Sequence, residues 1–459
     1  MQLIRPSSFP FPLHSVTVLH GDTLLQDDRF GVCAAGGPHR MFSISKSFTS
    51  LAIGALAAEG RLSLRDPIAS FFPEYMPEQP HPWLTQMTIE DLLTMRTCYK
   101  STTYKLDMRQ HWVASFFRTP PDHRPGQLFR YDTSASHTLA ALVRKLTGQT
   151  VLDYLRTLYL DAIGFSREAY FLTDPFGCEL GGSGLVCTPE DLLKTAVFLR
   201  SLYNGTWDRT AFPDHAFMER YAEYVRSAMS YHVSTVQEGK TLDECMGYGY
   251  MFWRIRDGVM MYGMGGQYVV FYPEKDLLFV TTADTQAVQG GGQLLLDAIR
   301  SAAVSVCGEE AFRSGGADAG AEVSGAAGAS DAGAAVCGAS VDPSLYGTYR
   351  LAPNAAGFTD LSIDDTALRI DAEQTSYSFL YGRNTPVRSV DPLCGQPLFG
   401  QAYPQPDGSL YLYVQIVGDY VGSLHFLLRA SDGCITLSIR RFEETLFPAF
   451  DGFFEGTRA

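Results

Sequence analysis

Apolar and polar residues alternate through "HSVTVLHGDTLL" (14–25) around a Gly-Asp pair, which predicts a β-hairpin. The pattern then changes. "SISKSFTSLAIGALAAE" (43–59) reads as a largely apolar helix that carries no charge between Lys46 and Glu59. "TIEDLLTMRT" (88–97) opens with a Thr-x-x-Asp cap signature, which predicts another helix start. In "SASHTLAALVRKLTG" (134–148), Leu139, Leu142, Val143 and Leu146 fall on one helical face and Gly148 closes the run. "TPEDLLKTAVFLRSLYNG" (188–205) has Pro189 in its first turn and Gly205 past its end. "GVMMYGMGGQYVVFYPEKDLLFVTTAD" (258–284) predicts two strands around a Pro-Glu-Lys-Asp turn, and "GGQLLLDAIRSAAVSV" (291–306) a last helix.

Periodicity then stops. Residues 314–340 hold 21 Ala, Gly or Ser out of 27, too few bulky apolar groups to offset ordering entropy. A flexible linker is expected over 308–341, spanning roughly 30 Å by random-coil scaling. It separates a domain at 1–307 from one at 342–459. In the second, "YGTYRLA", "LSIDDTALRID", "SYSFLYG", "GSLYLYVQIV", "GSLHFLLRA" and "GCITLSIRR" are β-rich and recurrently broken by Gly or Asp-Gly turns, so a sandwich or small barrel is expected.

Composition narrows the function. The 459 residues are 46% hydrophobic and 19% charged, with a net charge of −14 and no basic run. Nucleic acid and anionic membrane are therefore excluded as expected partners. No stretch of 18 or more apolar residues occurs, so no spanning helix is expected. The N-terminus lacks an uninterrupted apolar segment, so no secretory signal is expected. Nine widely spaced cysteines without a C-x-x-C fit reduced thiols in the cytosol, with neither a disulfide framework nor a zinc site.

Only seven of the 36 basic residues are lysines, which makes Lys46 in its apolar setting conspicuous. Ser43-Ile44-Ser45-Lys46 is the only Ser-x-x-Lys in the chain. On a helix, residues at i and i+3 share a face. A helix N-terminus favours developing negative charge, a hydroxyl needs a base beside it, and a desolvated lysine sheds its proton more readily. The pair suits serine acyl transfer. The competing reading makes Ser43 an ordinary helix cap.

The surrounding segments favour the chemical reading. "PHRMFSISKSFTSLAIGALAAEGRLSLRDPIASFFPE", "GQLFRYDTSASHTLAALVRKLTGQTVLDYL", "GGSGLVCTPEDLLK" and "MYGMGGQYVVFYPEKDLLFV" follow one another over about 14–305. They resemble the serine β-lactamase-related hydrolases, the superfamily of class C β-lactamases, D-alanyl-D-alanine carboxypeptidases and esterases. The resemblance implies an α/β (α+β) domain, an antiparallel sheet flanked by helices, with an all-helical insertion between roughly 65 and 190. It also implies roles. Ser43 would be the nucleophile, Lys46 its helix partner, and Tyr131 a phenolate or proton relay that needs the Lys46 cation nearby. The Ser43 and Met264 backbone N–H groups would form the oxyanion hole, with Gly265 or Gly266 as donor if the register slips. Gly263 would permit close backbone approach, and Asp132, Thr133, Tyr262 and Gly265 would support the site or the substrate. Asp132 would orient Tyr131 or Lys46, or cap the helix that follows.

Two departures bear on substrate. The family's Tyr-x-Asn is here Tyr131-Asp132-Thr133, and a hydroxyl does not replace both ends of an amide. The family's Lys-Thr-Gly or His-x-Gly is here Met261-Tyr262-Gly263, without a cation. Both weigh against β-lactams and carboxylate-bearing peptides. The expected activity is therefore acyl-enzyme hydrolysis of a small-molecule ester or small amide, with no metal or organic cofactor. The rivals are a D-stereospecific or penicillin-recognising enzyme of the same superfamily and a non-catalytic binder on its scaffold. His39 and His137 lack the G-x-S-x-G context of a triad, Cys98 and Cys187 read as inert, and "GGSGL" (181–185) is a turn able to line the cleft. The C-terminal domain resembles the small lipocalin-like barrels appended to some of these hydrolases, and a structural role is expected of it. Oligomeric state is not legible.

Overall fold

The structure is a computed structural model that describes residues 2–31, 37–312, 341–383, 385–391, 395–405, 407–419, 421–442 and 449–459. The Ala/Gly/Ser-rich run 314–340 lies outside the described residues, as do Cys33, Cys337 and Cys394.

Six antiparallel strands form the first sheet, in the order Thr23–Arg29, Leu13–His20, Leu277–Ala283, Gln267–Tyr272, Gly258–Gly263, Trp253–Ile255. The predicted hairpin supplies the first two strands, and Leu13–His20 pairs with Leu277–Ala283, Leu19 opposite Leu278. Central strands are buried along their length, because the sheet is covered. The run 258–284 holds three strands rather than two: Met264, Gly265 and Gly266 form an extra turn, and both glycines have positive φ, +87° and +93°.

The helix predicted at 43–59 is observed as α1, Ile44–Ala58, and nearly every residue of it is buried. A further helix that the sequence reading does not single out, His215–Ser230, packs across it. The crossing is close because of Gly54: a Cβ there would lie 2.1 Å from Cδ1 of Tyr224. Thr88 and Thr188 each cap a helix through a reciprocal box with Asp91 and Asp191. The helical insertion also contributes two short strands, Leu185–Cys187 and Tyr170–Phe171. They form a small sheet with His39–Arg40, immediately before α1.

After a 3-10 turn at Glu309–Phe312, the chain is described again from Val341, which is buried in the second core. Ten antiparallel strands run in the order Thr375–Leu380, Ala367–Ala372, Phe358–Ile363, Gly347–Leu351, Gly452–Arg458, Cys434–Phe442, Val421–Ser431, Leu410–Val417, Pro397–Pro404, Val387–Val390. Ala402 N–H donates to the Gly382 carbonyl (2.9 Å) and Gly382 N–H to that of Gly400 (3.2 Å), which draws the two ends together into a nearly closed barrel. Leu361, Ile370, Phe379, Leu412 and Phe426 fill it. Among the described residues, no helix is long and apolar enough to cross a membrane.

Candidate active site

The approach to α1 is strained. Phe42, a bulky residue, has φ +48°, a conformation L-residues seldom adopt outside sites that require it. The turn is held from both sides: Met41 N–H donates to the Leu185 carbonyl (2.8 Å) and Ile44 N–H to that of Met41 (3.3 Å). Ser43 follows with helical dihedrals and makes no side-chain cap bond, so its hydroxyl is not spent on capping. It is half-buried at the mouth of the helix.

The next turn places Lys46 under it. Nζ donates to Ser43 Oγ (3.0 Å) and to the Gly182 carbonyl (2.7 Å), and the residue is 1% exposed. Burial lowers its pKa from 10.5 to about 7; Asp132 opposes the shift, and the charges of Lys105 and Arg40 add to it. The amine therefore changes charge near neutrality. Other hydroxyls on α1 secure the helix: Thr49 donates to the Gly181 carbonyl (2.8 Å), Ser47 to that of Met251 (2.7 Å) and Ser50 to that of Tyr250 (2.7 Å). The Ser/Thr-rich start of the helix is thus a set of satisfied buried donors.

Tyr131 arrives from the other side of the cleft, with Lys46 Nζ 4.7 Å from its ring centroid. Burial raises the phenol's pKa well above the usual tyrosine value, and a hydrogen bond with Ser43 only partly opposes the shift. The phenolate form implied by the resemblance is therefore not the resting state. A buried phenol beside an amine that is itself near neutral stays protonated and suits a proton relay.

Asp132 caps the helix Thr133–Thr147: Oδ1 accepts from the Ser134 N–H (2.8 Å), and Oδ2 from the Thr97 hydroxyl (3.3 Å). Burial pushes its carboxyl up to about 6. Thr133 N–H donates to Thr102 Oγ1 (3.1 Å). The Thr133 methyl crowds Gly182, where a Cβ would lie 2.5 Å from it. Asp132 and Thr133 thus shape the wall behind Lys46.

Gly263 ends its strand against the backbone ahead of the nucleophile, where a Cβ would stand 2.3 Å from the Met41 carbonyl oxygen. Met264 leads the following turn, its carbonyl accepting from Gln267 Nε2 (3.3 Å), while the Gly265 carbonyl accepts from Thr285 N–H (3.1 Å). Met261, the residue that the resemblance aligns with the family's cation, is fully buried. Tyr262 is half-buried and stacks on Tyr268 at 5.6 Å.

Trp253 and Tyr248 join the site without having been legible in the sequence. Trp253 stacks on Tyr131 (5.7 Å between centroids), Tyr248 meets Tyr131 edge-on (6.3 Å), and Trp253 also touches Tyr262 (6.1 Å). The aromatic density of "YGYMFW" (248–253) is the available signal, but it carries no motif. Gly182 is reachable only as part of a turn able to line the cleft. His137 does not join the group: its Nε2 pairs with Asp174 Oδ2 (3.0 Å) in the buried interior. His39 is buried and held neutral, its pKa lowered to about 4 by burial. Cys98 and Cys187 are buried, with raised thiol pKa values.

Known proteins share this arrangement of segments. The Beta-lactamase family model matches residues 14–304. The 6-aminohexanoate-dimer hydrolase of Paenarthrobacter ureafaciens is 24% identical over 196 residues, 39% of this chain and 49% of that protein. Protein flp of Staphylococcus aureus (strain COL) is 27% identical over 166 residues, 33% of each. The matches thus span half or less of these curated relatives. A solved structure, a putative 6-aminohexanoate-dimer hydrolase from Bacillus anthracis, superposes with a TM-score of 0.51 at 17% identity, covering 65% of this chain and 80% of that one, a likeness of fold.

Proposed function

Because the chain belongs to the beta-lactamase family, we propose that it is a serine hydrolase that works through an acyl-enzyme on Ser43, with an ester or small amide as substrate. One observation carries this reading: a buried amine whose pKa lies near 7 stands 3.0 Å from an uncapped serine hydroxyl.

In the first step neutral Lys46 takes the Ser43 proton as Oγ bonds to the substrate carbonyl carbon. The carbonyl oxygen becomes an oxyanion facing the N–H groups of Ser43 and Met264, each such donor contributing about 3–4 kcal/mol in comparable sites. Collapse breaks the bond to the leaving group, which receives the Tyr131 proton. Lys46 returns the proton to Tyr131. Water repeats the sequence in reverse order, with the Ser43 oxygen as leaving group.

The burial of Met261 speaks against a substrate held by its carboxylate from that strand. The aromatic wall of Tyr131, Trp253 and Tyr262 suits an apolar or linear acyl portion. A relative named 6-aminohexanoate-dimer hydrolase supports including linear amides among the candidates. The test is intact-mass detection of a covalent adduct across p-nitrophenyl esters, linear amides and β-lactams. Short-chain esters are expected to add one acyl mass, absent in Ser43→Ala. Hydrolysis by Ser43→Ala at the wild-type rate would reject the site, and nitrocefin turnover would move the substrate class to β-lactams.

A further inference from the structure

The barrel touches the hydrolytic domain at a sensitive place. The strand His39–Arg40 is an edge of the small three-stranded sheet, and it leads directly into Phe42 and Ser43. Its outer N–H, that of Arg40, donates to the carbonyl of Gly418 at 3.0 Å. Gly418 and Asp419 lie at the hairpin tip between the barrel strands Leu410–Val417 and Val421–Ser431. The barrel therefore extends that sheet by one backbone bond at its edge.

The Arg40 side chain carries the contact inward. Nε donates to the Ser183 carbonyl (2.7 Å), Nη2 to Ser183 Oγ (3.1 Å) and Nη1 to the Asp419 carbonyl (3.5 Å). The guanidinium also lies over the ring of Phe42, 5.2 Å from its centroid. One residue thus grips both the strained position before Ser43 and the turn whose preceding residue, Gly182, accepts from Lys46. The tip is braced in turn. The Tyr170 hydroxyl donates to Asp419 Oδ1, and the Asp419 N–H donates to Gln396 Oε1 (2.9 Å). A second tie, Tyr413 hydroxyl to Asp284 Oδ2 (2.9 Å), joins the domains beyond the end of the strand Leu277–Ala283.

We propose that the C-terminal barrel is a working part of the active site, because its Gly418–Asp419 tip clamps Arg40, and Arg40 is a positioning residue for Ser43 and Lys46. This rests on Ser43 and Lys46 being the reacting pair. Arg40 acts through Phe42 and through Ser183, which follows Gly182. Its charge has a second effect, since it is one of the two cations that help keep Lys46 neutral.

Geometry supplies a perturbation confined to the barrel. A Cβ at Gly418 would fall 2.1 Å from Gln396 Oε1, the atom that holds the Asp419 N–H. Gly418→Val in the full chain is expected to push the Gln396 side chain off the Asp419 N–H, loosen the tip and lower kcat by up to about 10-fold, with KM within about two-fold. Arg40→Gln removes both clamp and charge. It is expected to lower kcat at least as far and to move the acid limb of kcat/KM to higher pH; Arg40→Lys, which keeps the charge but not the fork, is expected to leave that limb in place. Wild-type kcat in both Gly418→Val and Arg40→Gln overturns the proposal; a lowered kcat with an unmoved acid limb in Arg40→Gln supports the clamp and rejects only the charge effect. Loss of turnover in Ser43→Ala beside an unaffected Gly418→Val would reject the barrel's role and leave the nucleophile standing. Turnover retained in Ser43→Ala would reject both.

Discussion

Replacing Lys46 by methionine separates what the amine does for the fold from what it does for the reaction. Methionine fills similar volume and carries no charge. In the folded protein the ammonium's pKa falls from 10.5 to about 7, equivalent to about 5 kcal/mol of discrimination against the charged form at about 1.4 kcal/mol per pH unit. The unfolded chain keeps its proton up to about pH 10, so between pH 7 and 10 it binds more protons than the folded chain, and this residue's contribution makes stability rise with pH. Below pH 7 the full penalty applies; above pH 10 it is gone. Methionine removes the penalty but leaves the Gly182 carbonyl without its donor, a loss of about 1–3 kcal/mol that does not depend on pH. That constant loss drops out when the difference between the two proteins is followed against pH. The stability of Lys46→Met relative to wild type should therefore fall by about 3 kcal/mol between pH 7 and 9.5. Urea unfolding of both proteins at several pH values measures it. Activity must follow the same ionisation: kcat/KM toward p-nitrophenyl acetate should climb about tenfold per unit below pH 7 and level above it, and Lys46→Met should lose about 100- to 10,000-fold. A stability difference that is flat from pH 7 to 9.5 would refute the reasoning about burial, and a variant retaining a tenth of wild-type turnover would refute the role as base.

Three other substitutions test neighbouring links. Tyr131→Phe keeps the stacking on Trp253 and removes only the hydroxyl; kcat should fall about 100- to 1,000-fold while the urea midpoint changes little, and steady-state rates with unfolding curves decide it. Gly263→Ala drives a Cβ to 2.3 Å from the Met41 carbonyl, where only backbone can yield, so adduct formation on Ser43 should slow at least about 100-fold; wild-type acylation would mean that strand does not abut the nucleophile. Gly54→Ala pushes a methyl to 2.1 Å from the Tyr224 ring, and chemical denaturation should register a loss of about 1–3 kcal/mol.

Local rules make much of this protein legible in its amino-acid order. Thr88 and Thr188 announce their helices through the acid three residues on, and Gly148 and Gly205 end theirs in the left-handed conformation. The hairpin at 14–25 needs only its alternation and its Gly-Asp turn. The linear order of segments suffices for the family, and the Ser-x-x-Lys spacing for the Ser43–Lys46 contact, because three residues is about one turn of any helix. The strand count in 258–284 escapes sequence reading because a Met-Gly-Gly turn looks like strand when its neighbours are apolar. His215–Ser230 escapes it too, although Asp214 caps the helix and its apolar residues recur at helical spacing.

What requires the third dimension is everything that depends on distant segments meeting. Lys46 is identifiable as unusual from its neighbours, but its pKa follows from desolvation and from Asp132, Lys105 and Arg40, which no spacing rule brings together. The resemblance leaves Tyr131 as a phenolate or a proton relay; burial raises the phenol's pKa and favours the relay, and burial is a property of the packed chain. Trp253 and Tyr248 enter the site by ring contacts across more than a hundred residues. The barrel's reach to Arg40 spans nearly the whole sequence. Caps, turns and helix spacing are settled within a few residues by backbone sterics and hydrogen bonds, so the sequence alone carries them. Ionisation and clamping are settled by who is excluded from water beside whom, and only the tertiary fold decides that.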